Sequence, residues 1–590
     1  MNRNVESHFA ELPGVDIERS IFDRSATHKT SFNTGELIPF FWDEVLPGDT
    51  FNVSTSLVAR LQTLLTPIMD NIYLDTYYFF VPNRLTWEHW CQFMGENSDS
   101  AWLPAVTYNM PRIASPENGW NVGTIADYLG VPTGVEFYTS AGTDEAPLDN
   151  LAPDALLFRA YALICNEWFR DQNLSDPLNI PTGDSDQTGS NGSSYVNDVA
   201  NGGTPFKVAK YHDYFTSCLP SPQKGPAVTF EGTGVEFPQL NYIDGTDSEF
   251  IGVPVRAGSK PFQKLTTASW YPEIFRASNA ASSGTNHYYH LKKNGTNATA
   301  AVVDDGAYDS FSFVSSQQDF VPMNLVADFQ NVDISFGFTI NELRLAFQLQ
   351  KFYEKNARGG SRYRELLKMH FGVTSPDARM MVPEYLGGHR VPIQIHQIVN
   401  TAQSSGENLG DLGAMSNTSD IHEDFIKSFT EHGYIIGVCC VRYDHSYPQG
   451  LSRQFVHKSS LDYYWPVFAN IGEQPVYKWE IDATIRADED RTAVFGYQEA
   501  WASYRYLPAR VSGELRPGIS NSLASWHLSD YYTAQPALSD SWIREDKSNV
   551  DRVLAVTSSV SNQIFADFYV QNKVTRAMPM YSIPGLIDHH

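Results

Sequence analysis

LIPFFWDEVLPGDTFNVSTSLVARLQTLLTPIMDNIYLDTYYFFV, residues 37–81, reads as a succession of strands. Phe51, Val53 and Thr55 alternate with polar neighbours, the two-residue period of a strand with one covered face. Ile72 to Val81 is instead a continuous aromatic and β-branched run, long enough for a buried strand. The same texture returns far downstream. Pro392 to Val399 alternates through Ile393 and Ile395, with His396 on the other face, and Tyr434 to Tyr443 is a second buried-strand candidate. Trp479 to Arg486 alternates as a strand would, and Ile564 to Val570 is aromatic and apolar. Strands this far apart, joined by long loops with helices in them, predict a mainly β fold, a β-sandwich with elaborated loops. No internal repeat and no doubly wound alternation of strand and helix is present.

The helical signals sit between these strands. Trp87, Trp90, Cys91 and Met94 share one helical face before Gly95. A second helix is expected from Pro153, placing Leu157, Tyr161, Ile164 and Trp168 on one side. The strongest signal is residues 339–386. Thr339 and Glu342 are spaced as a capping box, and Leu343, Ala346, Phe347 and Tyr353 follow at near-helical intervals. Gly359 and Gly360 stop that helix, and Ser361 can start another that ends at Gly372. Lys351, Lys355, Arg358, Arg362, Arg364 and Lys368 stand there against only Glu354 and Glu365, in a chain of net charge −26. Such a basic island points to a polyanion or an acidic neighbour at one place; a solvated helix face with i,i+4 pairs is the plainer alternative.

Composition narrows the class. Forty-two basic residues against 68 acidic ones argue against a chain that coats nucleic acid over its whole surface. No apolar run approaches the roughly 18 residues of a membrane span. The opening MNRNVESHFAELPGVDIERS has no apolar core of a secretory signal. Cys91, Cys165, Cys218, Cys439 and Cys440 are odd in number and lack framework spacing, so they read as reduced, mostly buried thiols of a cytoplasmic product.

Catalytic signatures are absent: there is no G-x-S-x-G, H-E-x-x-H, Walker loop or C-x-x-C pair. Adjacent Cys439 and Cys440 lie in an apolar strand and read as packing residues. His389 and His396 flank a strand, but spacing supplies no further ligand, so no metal site and no cofactor is expected. Asp488, Glu489 and Asp490 read as a solvated turn before a calcium site. Tyr463, Tyr464, Trp465, Tyr504 and Tyr506 suit a core or subunit interface, or stacking on unpaired bases. Residues 181–203 are a loop by composition. The polar, Gly-punctuated stretch beyond Ala227 has short strand candidates at Phe250–Val255 and Phe311–Val314.

Five ordered blocks carry a family resemblance. They are NELRLAFQLQKFYEKNARGGSRYRELLKMHFGVTSPDARM followed by PEYLGG, GDTF at 48–51, FFVPNRL at 79–85, DYFTSCLPSPQKGP at 213–226, and the closing YSIPGLIDHH. Together they resemble the major capsid protein of the Microviridae, specifically the gokushovirus branch of bacteriophages. The resemblance implies a viral jelly-roll β-sandwich with long inserted loops containing several α-helices. It implies an extended N-terminal arm over residues 1–30 and a capsid domain over 31–225 and 321–590. Residues 226–320 would be a surface insertion whose three copies meet at each threefold axis, with Trp270, Tyr288 and Tyr289 as candidate packing aromatics. The expected function is structural, not enzymatic: a T=1 icosahedral shell around single-stranded DNA, made in a bacterial cytoplasm. Expected partners are further copies of the chain, DNA with a separate small basic DNA-binding protein, other virion proteins, and a host receptor met through the insertion. Lys573 and Arg576 join the basic island as candidate DNA-facing or interface residues. The alternative is a secreted carbohydrate-binding or carbohydrate-active β-sandwich, and a tail or adhesin component is a third reading.

Overall fold

The structure is a computed structural model. It describes residues 18–97, 106–138, 151–226, 228, 340–401, 410, 412–487 and 489–581, and the backbone of four strands between 288 and 322. The chain divides into two compact units, Met1–Pro226 with Phe352–His590, and Ala227–Lys351.

The first unit is built on two antiparallel sheets. Nine strands form them: β1 (Ser20–Asp23), β2 (Ala26–Phe32), β3 (Ile38–Val45), β4 (Thr50–Leu61), β5 (Ile72–Pro82), β6 (Glu384–Pro392), β7 (Thr418–Ser428), β8 (Gly433–Tyr443) and β9 (Ile564–Arg576). Sheet one runs β1-β9-β4-β7, with β2 also on β9; sheet two runs β6-β5-β8-β3. In β4 the alternation is strict: Phe51, Val53, Leu57, Ala59 and Leu61 are buried between more exposed neighbours. These residues share one core with Phe568 and Val570 of β9 and with Phe40, Leu74, Tyr78, Phe80 and Ile435 of sheet two. Phe40 stacks on Phe568 at 4.5 Å between ring centroids, and the Tyr78 hydroxyl lies 2.6 Å from that of Thr55. Packing of the two inner faces makes the unit a β-sandwich.

Sheet two is also covered on its outer face. Along β8, Ile435, Cys439, Val441 and Tyr443 enter the shared core. Tyr434, Ile436, Val438 and Cys440 enter a second core with Phe79, Val81, Trp87 and Trp120. Helix α1 (Leu156–Ile164) supplies Leu156, Phe158, Tyr161 and Ile164 to that layer, and the Tyr161 hydroxyl donates to the Leu37 carbonyl at 2.5 Å. A continuous apolar run is what burial on both faces demands.

Several expectations shift. Residues 20–23 and 26–30 of the expected arm lie in strands β1 and β2, which pair with β9. The helix expected over Trp87–Met94 is only a short turn at Trp90–Phe93, preceded by another at Asn83–Thr86, and Cys91 and Met94 are exposed. Trp87 interrupts it because its extended backbone points the indole inward, where the N–H donates to Asp184 at 2.7 Å. The strand expected at Trp479–Arg486 is overturned: Lys478–Ile481 is a helical turn. Its cause is Glu480, whose carboxylate accepts the Tyr477 N–H at 2.9 Å while buried against Tyr214 and Arg453. Strand β6 was missed, since the alternation noticed from Pro392 begins where β6 ends.

Helix α2 (Ile340–Gly359) stops at Gly360, φ +93°, and α3 (Tyr363–Phe371) at Gly372, φ +71°, as the glycines predict. Thr339 lies outside the described residues. In the second unit, strands order as Asp309–Ser312, Thr296–Asp304, Tyr288–Lys293 and Phe320–Pro322. The strand expected at Phe311–Val314 overlaps the first of these. Phe250–Val255, Trp270 and the side chains of Tyr288 and Tyr289 lie outside the described residues.

The two-core arrangement has a measurable consequence. Ile435→Ala and Ile436→Ala, although adjacent and facing opposite ways, should each cost about 2–5 kcal/mol in denaturant unfolding of the unassembled chain. Outward-facing Ile421→Ala should stay within about 0.5 kcal/mol.

Candidate functional site

The basic island separates into two kinds of residue. Its arginines are already paired within the chain. Arg358 bonds Glu473; Arg362 lies 3.1 Å from Glu167 and 3.6 Å from Glu365; Arg364 lies 3.5 Å from Asp377 and caps the Trp168 ring at 4.4 Å. Its lysines are not drawn in: Lys351, Lys355 and Lys368 are exposed. The same division holds on β9, where Arg576 is held by Asp49 at 2.8 Å and Lys573 is exposed. A planar guanidinium gains more from a fixed carboxylate than an ammonium does, which explains the sorting.

The aromatic cluster is neither core nor loose loop. It stands on a small third core of Phe215, Tyr447, Val476, Ile481 and Phe495. Above this, Tyr463, Tyr464, Trp465, Tyr504 and Tyr506 are exposed, together with Phe455 (75%) and Val467 (87%). Their positions are fixed: the Trp465 indole donates to the Ser460 carbonyl at 2.7 Å, and Tyr464 meets Trp501 edge-on at 5.7 Å. A groove of 700 Å³ runs alongside, lined in part by Arg453, Phe455, Tyr506 and Leu507. An ordered apolar surface of this density is a candidate interaction site.

Two buried ionic clusters hold the frame. Asp75, in the middle of β5, receives Arg390 of β6 at 2.8 Å, Arg442 of β8 at 2.7 Å and the Tyr211 hydroxyl at 2.8 Å. Burial pushes the Asp75 carboxyl up, but the two guanidiniums outweigh it and hold the group below its ordinary range. His445, beyond the end of β8, lies 2.8 Å from Asp530 and 3.1 Å from Glu545, with Lys210 3.4 Å from Asp530. Burial works against an imidazolium here; the Glu545 and Asp530 carboxylates win and raise His445 to about 10.

Of the two histidines weighed for metal, the fold leaves His396 exposed but brings His389 against Asp420 and His422. Those two residues lie some thirty positions on, across the sandwich edge, so local spacing gave no sign of them. The acidic run is a turn: Glu489 pairs with Arg486 at 3.0 Å and Asp490 accepts the Thr492 N–H at 2.9 Å, while Asp488 lies outside the described residues. Cys165, Cys218, Cys439 and Cys440 are buried and free, and Cys91 is exposed. Among the described residues, no helix is long and apolar enough to cross a membrane.

A sandwich with ordered apolar outer surfaces is the build expected of a protein that associates. Comparison with known proteins gives the same class. The family model described as capsid protein (F protein) matches residues 10–586. Capsid protein VP1 of Chlamydia phage 1 is 38% identical, covering 99% of this chain and 98% of the relative. Capsid protein VP1 of Spiroplasma virus 4 is also 38% identical and that of Bdellovibrio phage phiMH2K 35%, each with the same coverage. The chain belongs to this capsid protein family. It is a structural capsid protein of the gokushovirus branch of the Microviridae, a component of the virion and not an enzyme.

The His445 cluster sets a pH dependence. Because its folded value lies above the ordinary 6.5, its stabilisation is complete below about pH 6.5 and is lost as pH rises toward about 10. Unfolding midpoints of the native chain should fall across that window. His445→Gln should remove most of that slope and lower stability at neutral pH.

Proposed function

We propose that this chain tiles a T=1 icosahedral shell around single-stranded DNA, and that the aromatic excursion over residues 451–531 is a principal contact between its copies. The observation that carries this reading is the fixed, exposed apolar surface around Tyr464, Trp465 and Val467 on a chain whose family forms capsids. Obligate interfaces of this class bury well over about 2,000 Å², and side chains of this kind supply their centres.

The finer reading of the sandwich is a jelly roll. In sheet two the fourth strand of the chain order, β8, lies between the first and second, β3 and β5. Sheet one meanwhile takes β4, β7 and β9 from between and after them, the crossing between sheets that two interleaved Greek keys produce. Residues 226–320 form the outward insertion at the threefold axis and recognise the host. Residues ahead of Ser20 are the arm, reaching along neighbouring subunits. DNA contacts fall to the exposed lysines Lys351, Lys355, Lys368 and Lys573, helped by a small basic DNA-binding protein and other virion proteins. The arginines beside them have a structural task instead.

One panel of variants separates these roles. Val467→Asp should give a folded, soluble chain that forms no particles in negative-stain images; normal particles would remove the excursion from the interface. Replacing Lys355, Lys368 and Lys573 together with Gln should give intact shells with less DNA, and unchanged DNA content would dismiss the lysines. Replacing residues 230–318 by a short Gly-Ser linker should leave particles that assemble but do not adsorb to cells. Normal infectivity of that variant would sink host recognition by the insertion.

A further inference from the structure

The inward face of β7 is polar where a sandwich calls for apolar residues. Thr418, Asp420, His422 and Asp424 occupy its successive inward positions, while Ile421 and Ile426 point outward, 80% and 70% exposed. A bulge between Glu423 and Phe425 leaves Asp424 out of the pairing with β4, and Phe425 resumes the apolar face. Strand β7 is the edge of sheet one and β6 the edge of sheet two. The edges meet here so closely that a Cβ on Gly387 would lie 2.5 Å from the Asp424 carbonyl oxygen.

This approach places His389 of β6 over His422, with ring centroids 4.3 Å apart and planes 24° from parallel. Asp420 Oδ2 lies between them, 2.8 Å from His422 Nδ1 and 3.9 Å from His389 Nε2. One ligand atom from each of the three residues lies within 4.8 Å of the other two. On the far side of the ring, His422 Nε2 is 3.0 Å from Asp424 Oδ1, yet neither atom makes a hydrogen bond. The Asp424 side chain is wholly buried and that of His422 nine-tenths buried. Asp424 Oδ2 accepts the Thr55 hydroxyl at 2.5 Å.

We propose that His389 Nε2, His422 Nδ1 and Asp420 Oδ2 form a site for a divalent transition cation of the zinc class, which clips together the edges of the two sheets. Bonds of about 2.0–2.1 Å put tetrahedral ligand atoms roughly 3.3 Å apart, between the two distances measured to Asp420. His389, 49% exposed at its side chain, can turn to close the remaining gap and leaves the site open to solvent on one side. Asp424 stands where a carboxylate behind a ligating histidine belongs, ready to accept the Nε2–H hydrogen bond and fix the ring. Charge agrees: Asp420 and Asp424 carry two negative charges, and one divalent cation with two neutral imidazoles balances both. Two imidazoles favour zinc, nickel or copper over calcium or magnesium.

The test uses the full-length chain, stripped by a chelator and dialysed against Zn²⁺. One tightly held zinc per chain is expected. His389→Ala, at a half-exposed position that the fold tolerates, should weaken binding at least about tenfold, and Asp424→Asn about 10–100-fold. Co²⁺ in place of Zn²⁺ should give the intense visible bands of a four-coordinate site, lost in His389→Ala. No stoichiometric zinc, zinc binding or cobalt bands unchanged in His389→Ala, or equally strong binding of Ca²⁺ would each overturn the assignment.

Discussion

A sheet buried on both faces is the constraint from which the rest of the described body follows. Strands β5 and β8 pair over eleven residues, and most side chains on them have a core to enter whichever way they point. The inner face finds sheet one. The outer face, with Tyr434, Ile436, Val438 and Cys440, needs an equal cover, so residues after β5 form an organised layer with Trp87, Trp120 and α1. Loops of that length are stable only because they share this core. Polar groups caught in the layer must then be answered in place. Asp75 is answered by the neighbouring strands on both sides, Arg390 on β6 opposite it in register and Arg442 two residues beyond its partner Cys440 on β8.

The acidic composition looks different once these pairings are counted. Arg358, Arg362, Arg364, Arg390, Arg442 and Arg576 all spend their charge on carboxylates of the same chain. At these positions arginine acts as an internal tie, and on the basic island the exposed positive charge is carried by Lys351, Lys355 and Lys368. On the proposed reading of a shell around DNA, this would have a physical advantage. Exposed ammonium groups give contacts that shift with the path of the DNA and weaken with salt, without any fixed register on the bases.

How legible this was in the sequence depended on how many groups a side chain must satisfy. Where burial alone decides, as in Ile72–Val81, Tyr434–Tyr443 and Ile564–Val570, pattern located the strands. Glycines at 360 and 372 marked helix ends, because a left-handed backbone is a local property. Reading failed where a tertiary polar contact overrode the local period. Trp479–Arg486 alternates like a strand, but Glu480 is fixed by Tyr214 and Arg453, residues no window contains. Trp87 breaks its helix for Asp184, nearly a hundred positions away. The candidate surfaces were half legible: the aromatic cluster and the basic island were visible as composition. Which cations were already spent, and that His389 faces Asp420 and His422, depended on strand order alone.

Strand β7 shows why polarity inside and apolarity outside can both be required of one element. An unpaired sheet edge invites further pairing, and charged inward side chains with a bulge are means of preventing it. Any acidic or basic residue would serve that purpose. The edge carries more than that: two stacked imidazoles, a carboxylate between them, and a second carboxylate behind, with its other oxygen held by Thr55. Outward, Ile421 and Ile426 are costly to expose on a lone soluble subunit and favourable against a neighbour. The edge thus carries a polar constellation on the face that joins the two sheets, and its apolar residues on the face left exposed in the single chain. In the proposed shell a strand can invert its ordinary pattern, because a neighbouring subunit would cover the apolar residues that a lone chain leaves exposed.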